Sequence, residues 1–275
     1  GISPLKENLS KFRSYYKNKS KSDKTYKFQL FTKCPSIFFY YYSDQFAKNL
    51  LLTCSLLSLL LLFNIFTAPV FLFLFISFLS FCSVDFDFLS FQWDTLLIEM
   101  LFIAFFYQFC PVHLLDLYNT LWILILFKLL FSSGIAKLKS GDKNWKDLTA
   151  LNFHYYTQPL PNKAAYYIHQ LPRSFHRFCC AVMFFIELVI PFLLFIPYLI
   201  PWAIFLLMLL QVLIFLSGNF SFFNLQTLVL CIPPLAISQT HLIQNIHFSR
   251  LSLFFSIFIF FFSLVHLGLI LELFI

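Results

Sequence analysis

The chain has 275 residues, of which 60% are hydrophobic, 11% are charged and 42 are Phe. A soluble domain carries about 25% charged residues, so a water-soluble globular protein is excluded. The net charge of +7 is concentrated in two blocks, residues 6–48 and 137–177, a placement that marks loops beside a membrane and argues against a nucleic-acid partner.

Residues 49–84 and 188–249 contain no Asp, Glu, Lys or Arg. A helix needs about 20 apolar residues to cross the hydrocarbon core. The first run therefore holds two short spans and the second about three. A β-barrel would show short segments of strict alternation, and these runs do not alternate. The expected fold is all-α, a polytopic transmembrane helix bundle with a long polar, aromatic-rich loop. Its organisation reads as a polar basic loop (1–48), transmembrane helices (49–133), a loop segment (134–177) and further transmembrane helices (178–275). The chain opens on Gly1 and closes inside or just after an apolar run, so both ends read as cut.

In chain order, residues 1–36 are rich in Ser, Lys and Tyr and read as a loop or surface segment. Asn8 and Asn18 open N-glycosylation sequons. The cluster FFYYYSD (38–44) suits a membrane interface. Spans are expected at 49–66 and 70–84, separated by Ala68-Pro69, with Asp85 and Asp87 in the connector. The span at 88–109 carries Asp94 and Glu99. Five residues apart on a helix, they lie about 140° from each other, a poor geometry for a two-carboxylate site. Buried acids in a span are costly, which makes Asp94, Glu99, Glu187 and Lys128 candidate buried structural charges. Lys128, in the span at 118–131, is the candidate partner for the two acids on 88–109. Ser132-Ser133-Gly134 is expected to loosen the end of that span.

Residues 137–177 form the long polar interruption, with seven basic residues, two acids and three of the chain's seven histidines. KNWKDL (143–148) reads as a short amphipathic stretch anchored by Trp145. NFHYYT (152–157) alternates like an extended segment, QPLPN (158–162) is rigid through its two prolines, and 163–170 has helical composition. Ser174 is a candidate cap for the next helix, expected to begin near Phe175 and to continue as a span at 178–199 that contains Glu187 and Pro191. Further spans are expected at 202–216 and 251–271, separated by a short apolar piece (222–232) ended by Pro233-Pro234 and a polar loop with His241 and His247.

The chain carries no GxSxG, HExxH, P-loop or GxGxxG. Its seven cysteines show neither CxxC nor zinc spacing. His154, His169 and His176, at spacings of fifteen and seven, fit no metal motif. No catalytic residue, metal or cofactor is therefore expected.

Several stretches in order resemble the lipase maturation factor family. FLSFQWDTLLIE (88–99) is similar to its "FLSFQWDxLLLE". HYYTQPLPN (154–162) is similar to its "HYETQPLPN", with Tyr156 in place of the usual Glu. The "G…KL…D..W.DLT" pattern over 134–149, LPRSFHR (171–177), ELVIP (187–191), SGNFSFFNL (217–225) and the opening GISPL (1–5) continue the series. The resemblance implies a multi-pass endoplasmic-reticulum membrane protein that helps secreted lipases fold, with lipases as clients and membrane lipid around it. It also implies that this chain lacks the family's first span and large C-terminal domain. Client-binding candidates are Trp145, Asp147, His154, Tyr155, Gln158, Pro159, Pro161, His169, Arg173 and His176. Four apolar segments separate the two basic blocks, so both face one side. The positive-inside rule makes that side cytoplasmic; the resemblance makes it lumenal, and that orientation is adopted. The alternative is a membrane enzyme of the vitamin K-dependent carboxylase-like type, with His154, His169 or Lys137 as base and Glu187 or Asp94 as buried partner. A transporter would need an inverted repeat, and none is visible.

Overall fold

A computed structural model describes residues 5–20, 22–85, 89–111, 114–158, 160–218, 220 and 222–237. The described residues are helical and contain no strand. The chain divides into two compact units, one ending at Phe109 and the other starting at Cys110.

The N-terminal unit begins with α1 (Leu5–Lys19) and α2 (Asp23–Lys33), where the sequence reading expected a loop. Helix formers such as Leu, Lys and Glu dominate α1. The Ser22 hydroxyl caps α2 by accepting from the Thr25 N–H at 3.2 Å, and Lys17, Lys19 and Lys33 sit in the last turns, where the helix dipole favours cations. These helices are tied down through Leu9, which is buried with Phe38, Leu50, Phe81 and Val84. Phe38 packs edge-on against Phe81 at 4.8 Å. Its turn is fixed by Ser36 Oγ donating to the Ser80 carbonyl (2.9 Å) and the Ile37 N–H donating to Ser80 Oγ (3.2 Å). The aromatic cluster therefore splits, with Phe38 in the core and Tyr40 and Tyr41 exposed.

Helix α3 (Asp44–Leu61) is followed by a turn with Asn64 and Phe66 at φ 55° and 49°, and then by α4 (Thr67–Cys82). Pro69 lies in the first turn of α4, where its missing N–H removes no helical bond. The break thus comes before Ala68-Pro69. Helix α5 (Gln92–Tyr107) begins later than the span expected at 88–109, which puts Asp94 in its first turn. The Asp94 carboxylate is buried and accepts from the Phe91 N–H at 3.1 Å.

In the C-terminal unit, α6 (Leu115–Lys139) buries Tyr118, Leu121, Ile125 and Leu126 completely. The 118, 121, 125 spacing is one face of a helix. Its 25 residues span about 37 Å, enough to cross a hydrocarbon core of about 30 Å. Ser132-Ser133-Gly134 does not end the helix. The Ser133 hydroxyl bonds back to the Leu129 carbonyl (2.9 Å), and Gly134 is where Glu187 and Leu188 come close.

Three short helices follow: α7 (Lys143–Lys146), α8 (Leu151–Thr157) and α9 (Lys163–His169). Next come α10 (Arg173–Leu188), α11 (Ile190–Leu193), α12 (Ile200–Ser217), α13 (Phe222–Leu230) and α14 (Ile232–Ile237). Pro172, not Ser174, is the N-cap residue of α10. Pro233 and Pro234 lie inside the first turn of α14 and start that helix instead of ending one. On the α6 face turned to α11, Phe127 and Phe131 meet Phe192 edge-on at 5.0 and 5.4 Å.

Among the described residues, three stretches are long and apolar enough to cross a membrane: Leu117–Lys139, Arg173–Leu193 and Pro197–Ser217. The fold is an all-α membrane helix bundle. The expected span at 251–271, with His241 and His247 before it and Asp87 in the earlier connector, lies outside the described residues.

Candidate functional site

The polar segment is a folded unit built on the ends of α6, α10 and α12. Its anchor is Lys137, in the last turn of α6. The ammonium lies 2.6 and 2.7 Å from the two carboxylate oxygens of Glu187 on α10. Glu187 is 4% exposed, so its charge is compensated by this contact instead of by water. Trp145 covers the other side, with Lys137 Nζ 5.8 Å from its ring centre and Phe184 edge-on at 6.1 Å. Trp145 is thus a wall of the ion pair and not a free interfacial anchor.

Helix α8 replaces the extended segment expected from the NFHYYT alternation. Leu151 and Tyr155, four apart, share one helical face and are buried with Ala165, Cys180 and Phe184. This tertiary packing overrides the local pattern. The turn before α8 is held by the Asn144 carbonyl, which accepts from the N–H groups of Thr149 (2.8 Å) and Ala150 (3.1 Å). His154 is half-buried and stacked parallel to Phe220, 6.1 Å between ring centres. Burial, reinforced by the positive charge of Lys137, lowers its pKa from the ordinary 6.5. Burial pushes the Tyr155 hydroxyl up to about 12. Both groups are held neutral, as suits packing.

The QPLPN turn staples the segment to α12. Gln158 Nε2 donates to the Ser217 carbonyl at 3.2 Å. Asn162 Nδ2 donates to the carbonyls of Leu216 (3.0 Å) and Gly218 (3.2 Å), while its Oδ1 accepts from the Ala165 N–H (2.7 Å) and caps α9. The last carbonyls of a helix have no partner within it, so these two amides cap an apolar helix whose end would otherwise carry bare acceptors. Asn162 was absent from the candidate set. Its signal is the Asn placed just before a helical run.

The remaining candidates separate by exposure. His176 is buried, 5.6 Å from the Tyr155 ring, and His169 lies 4.9 Å from Tyr156. Asp147, Pro161 and Arg173 are exposed. Pro159 lies outside the described residues. Among the structural charges, Glu187 pairs with Lys137, Asp94 is bonded within its own helix start, and Glu99 and Lys128 are half-buried on α5 and α6. The exposed aromatics of the segment are others: Phe153, Tyr156, Tyr166, Tyr167 and Phe175, with Tyr166 and Tyr167 at 65% and 70% exposure. Among the described residues, no group of three His, Cys, Asp or Glu side chains could hold a metal ion.

The lipase maturation factor transmembrane domain model matches residues 1–244. Lipase maturation factor 2 of Xenopus tropicalis is 42% identical over 175 residues, 59% of this chain and 24% of that protein. The human lipase maturation factor 2 is 38% identical over 181 residues, covering 58% and 25%. Lipase maturation factor 1 of Bos taurus is 34% identical over 174 residues, covering 59% and 30%. The matched region thus spans less than a third of these relatives' length. No solved structure matches. With the family's transmembrane-domain model running across the ion pair, the capped turn and the helices that carry them, the chain belongs to the lipase maturation factor family.

Proposed function

We propose that this chain is the membrane core of a multi-pass endoplasmic-reticulum assembly factor that helps secreted lipases fold and mature. Residues 137–177 form its client-facing surface, turned to the lumen. The observation that carries this reading is the aromatic face of the segment: Tyr156, Tyr166 and Tyr167 stand exposed on short helices whose other sides are fixed. Large aromatics on a rigid frame supply binding area at low entropic cost, and they dominate interface hot spots. The names of the relatives support lipases as the clients of that surface. The factor works by contact and holds exposed segments of a folding client, with no catalytic step.

The test is secretion of active lipase from cells lacking the endogenous factor. The wild-type protein, expressed at full length, is expected to restore secretion. The Tyr166→Ala/Tyr167→Ala variant, at equal abundance, is expected to restore several-fold less. A well-expressed wild type that restores nothing overturns the proposal.

A further inference from the structure

A cavity of about 920 Å³ opens beside the segment, walled by the turn before α8, the end of α9 and the first turns of α10. Its volume is in the range of small-molecule sites. Arg173, His176 and Arg177 line it from α10, and Asn152, Tyr156 and His169 line it from α8 and α9. Among the described residues no carboxylate lines it, and neither arginine makes a hydrogen bond or ion pair within them.

The cap residue of α10 is Pro172, which gives no side-chain bond to the first-turn amides. Those amides and the positive end of the helix dipole add to the two guanidinium groups. The stretch Arg173–Leu193 is long enough to cross a membrane, so its first turns lie at the depth of lipid headgroups.

We propose that this cavity binds a phosphate-bearing anion, held by Arg173 and Arg177 at the start of α10. The guanidinium forks grip phosphate oxygens in pairs. A lipid headgroup and a free phosphate share this chemistry. The inference is independent of the client-binding reading, because it is measured on the purified chain with no lipase present.

The full chain is reconstituted in phosphatidylcholine nanodiscs with or without phosphatidylinositol, and retained lipid is read by native mass spectrometry. In parallel, inorganic phosphate is titrated against thermal unfolding in detergent. Wild type is compared with Arg173→Ala/Arg177→Ala and with Tyr156→Glu, all at exposed positions. Retention of phosphatidylinositol that falls at least about tenfold in both variants, the loss of roughly one charge-assisted bond, identifies a headgroup site. Stabilisation by inorganic phosphate alone, lost in the same variants, identifies a free-phosphate site. Equal behaviour of wild type and variants in both arms overturns the proposal.

Discussion

Replacing Lys137 with Met is expected to destabilise the C-terminal unit by about 3–5 kcal/mol, because it strands the Glu187 carboxylate in a buried site. The two halves of the pair are not equivalent. The Lys137 side chain keeps 24% of its surface in contact with solvent and Glu187 only 6%. An orphaned ammonium can still be hydrated, so Glu187→Gln is expected to cost clearly less than Lys137→Met. Replacing both, as Lys137→Met/Glu187→Leu, is expected to recover most of the loss, as happens when a buried pair gives way to apolar side chains of similar size. Denaturant unfolding in detergent, compared across the three variants, reads the order directly. A Lys137→Met protein as stable as wild type would show that the pair does not hold α6 to α10.

The second large effect is expected at Gly134, one helical turn before Lys137. A Cβ at this position would sit 2.5 Å from Leu188 Cδ2, 2.8 Å from Leu188 Cγ and 3.3 Å from Glu187 Cβ. Alanine gains about 1 kcal/mol of helix propensity over glycine, and a shift of the Leu188 side chain can absorb much of its clash, so Gly134→Ala is expected to be close to neutral. Valine adds two methyl groups in the same gap and is expected to cost about 2–3 kcal/mol by overpacking. Adding Leu188→Ala to Gly134→Val is expected to cost less than the sum of the two single changes, since they share one contact. Strict additivity in that cycle would place the close approach elsewhere.

The sequence revealed the helix bundle because charge depletion over 60 or so residues has one physical outcome. It also showed that Glu187 must be compensated. It did not single out the partner, because Lys137 and Glu187 lie fifty residues apart and Lys128 and Lys137 are both on α6. Local pattern misled at NFHYYT, whose alternation gave way to the packing of Leu151 and Tyr155 on a common core. The polar start reads as a loop because little of it is apolar; in the structure Leu9 and Leu5 pack α1 against the Phe38 and Phe81 cluster, and Arg13 donates to the Phe39 carbonyl at 2.7 Å. Within the polar segment, Trp145 and Tyr155 are the aromatic client-binding candidates apart from the histidines, yet both pack inward. Which aromatics face out is set by short helices that the composition of 137–177 left open. Gln158, a client-binding candidate by sequence, and Asn162, which was not one, both use their side chains to cap α12.

The central claim is that the outward aromatic face of α8 and α9 touches the client. Site-specific photocrosslinking tests it most directly, with a crosslinking amino acid placed singly at Tyr166, at Tyr167 and, as a lipid-facing control, at Trp202, which is 70% exposed on the apolar helix α12. The protein is expressed at full length in cells synthesising a secreted lipase. Crosslinks to the newly made lipase from positions 166 and 167, absent at 202 and absent once the lipase has matured, are the expected result. Crosslinks that are no stronger at 166 and 167 than at 202 would contradict the account and leave the segment as a structural cap on the bundle.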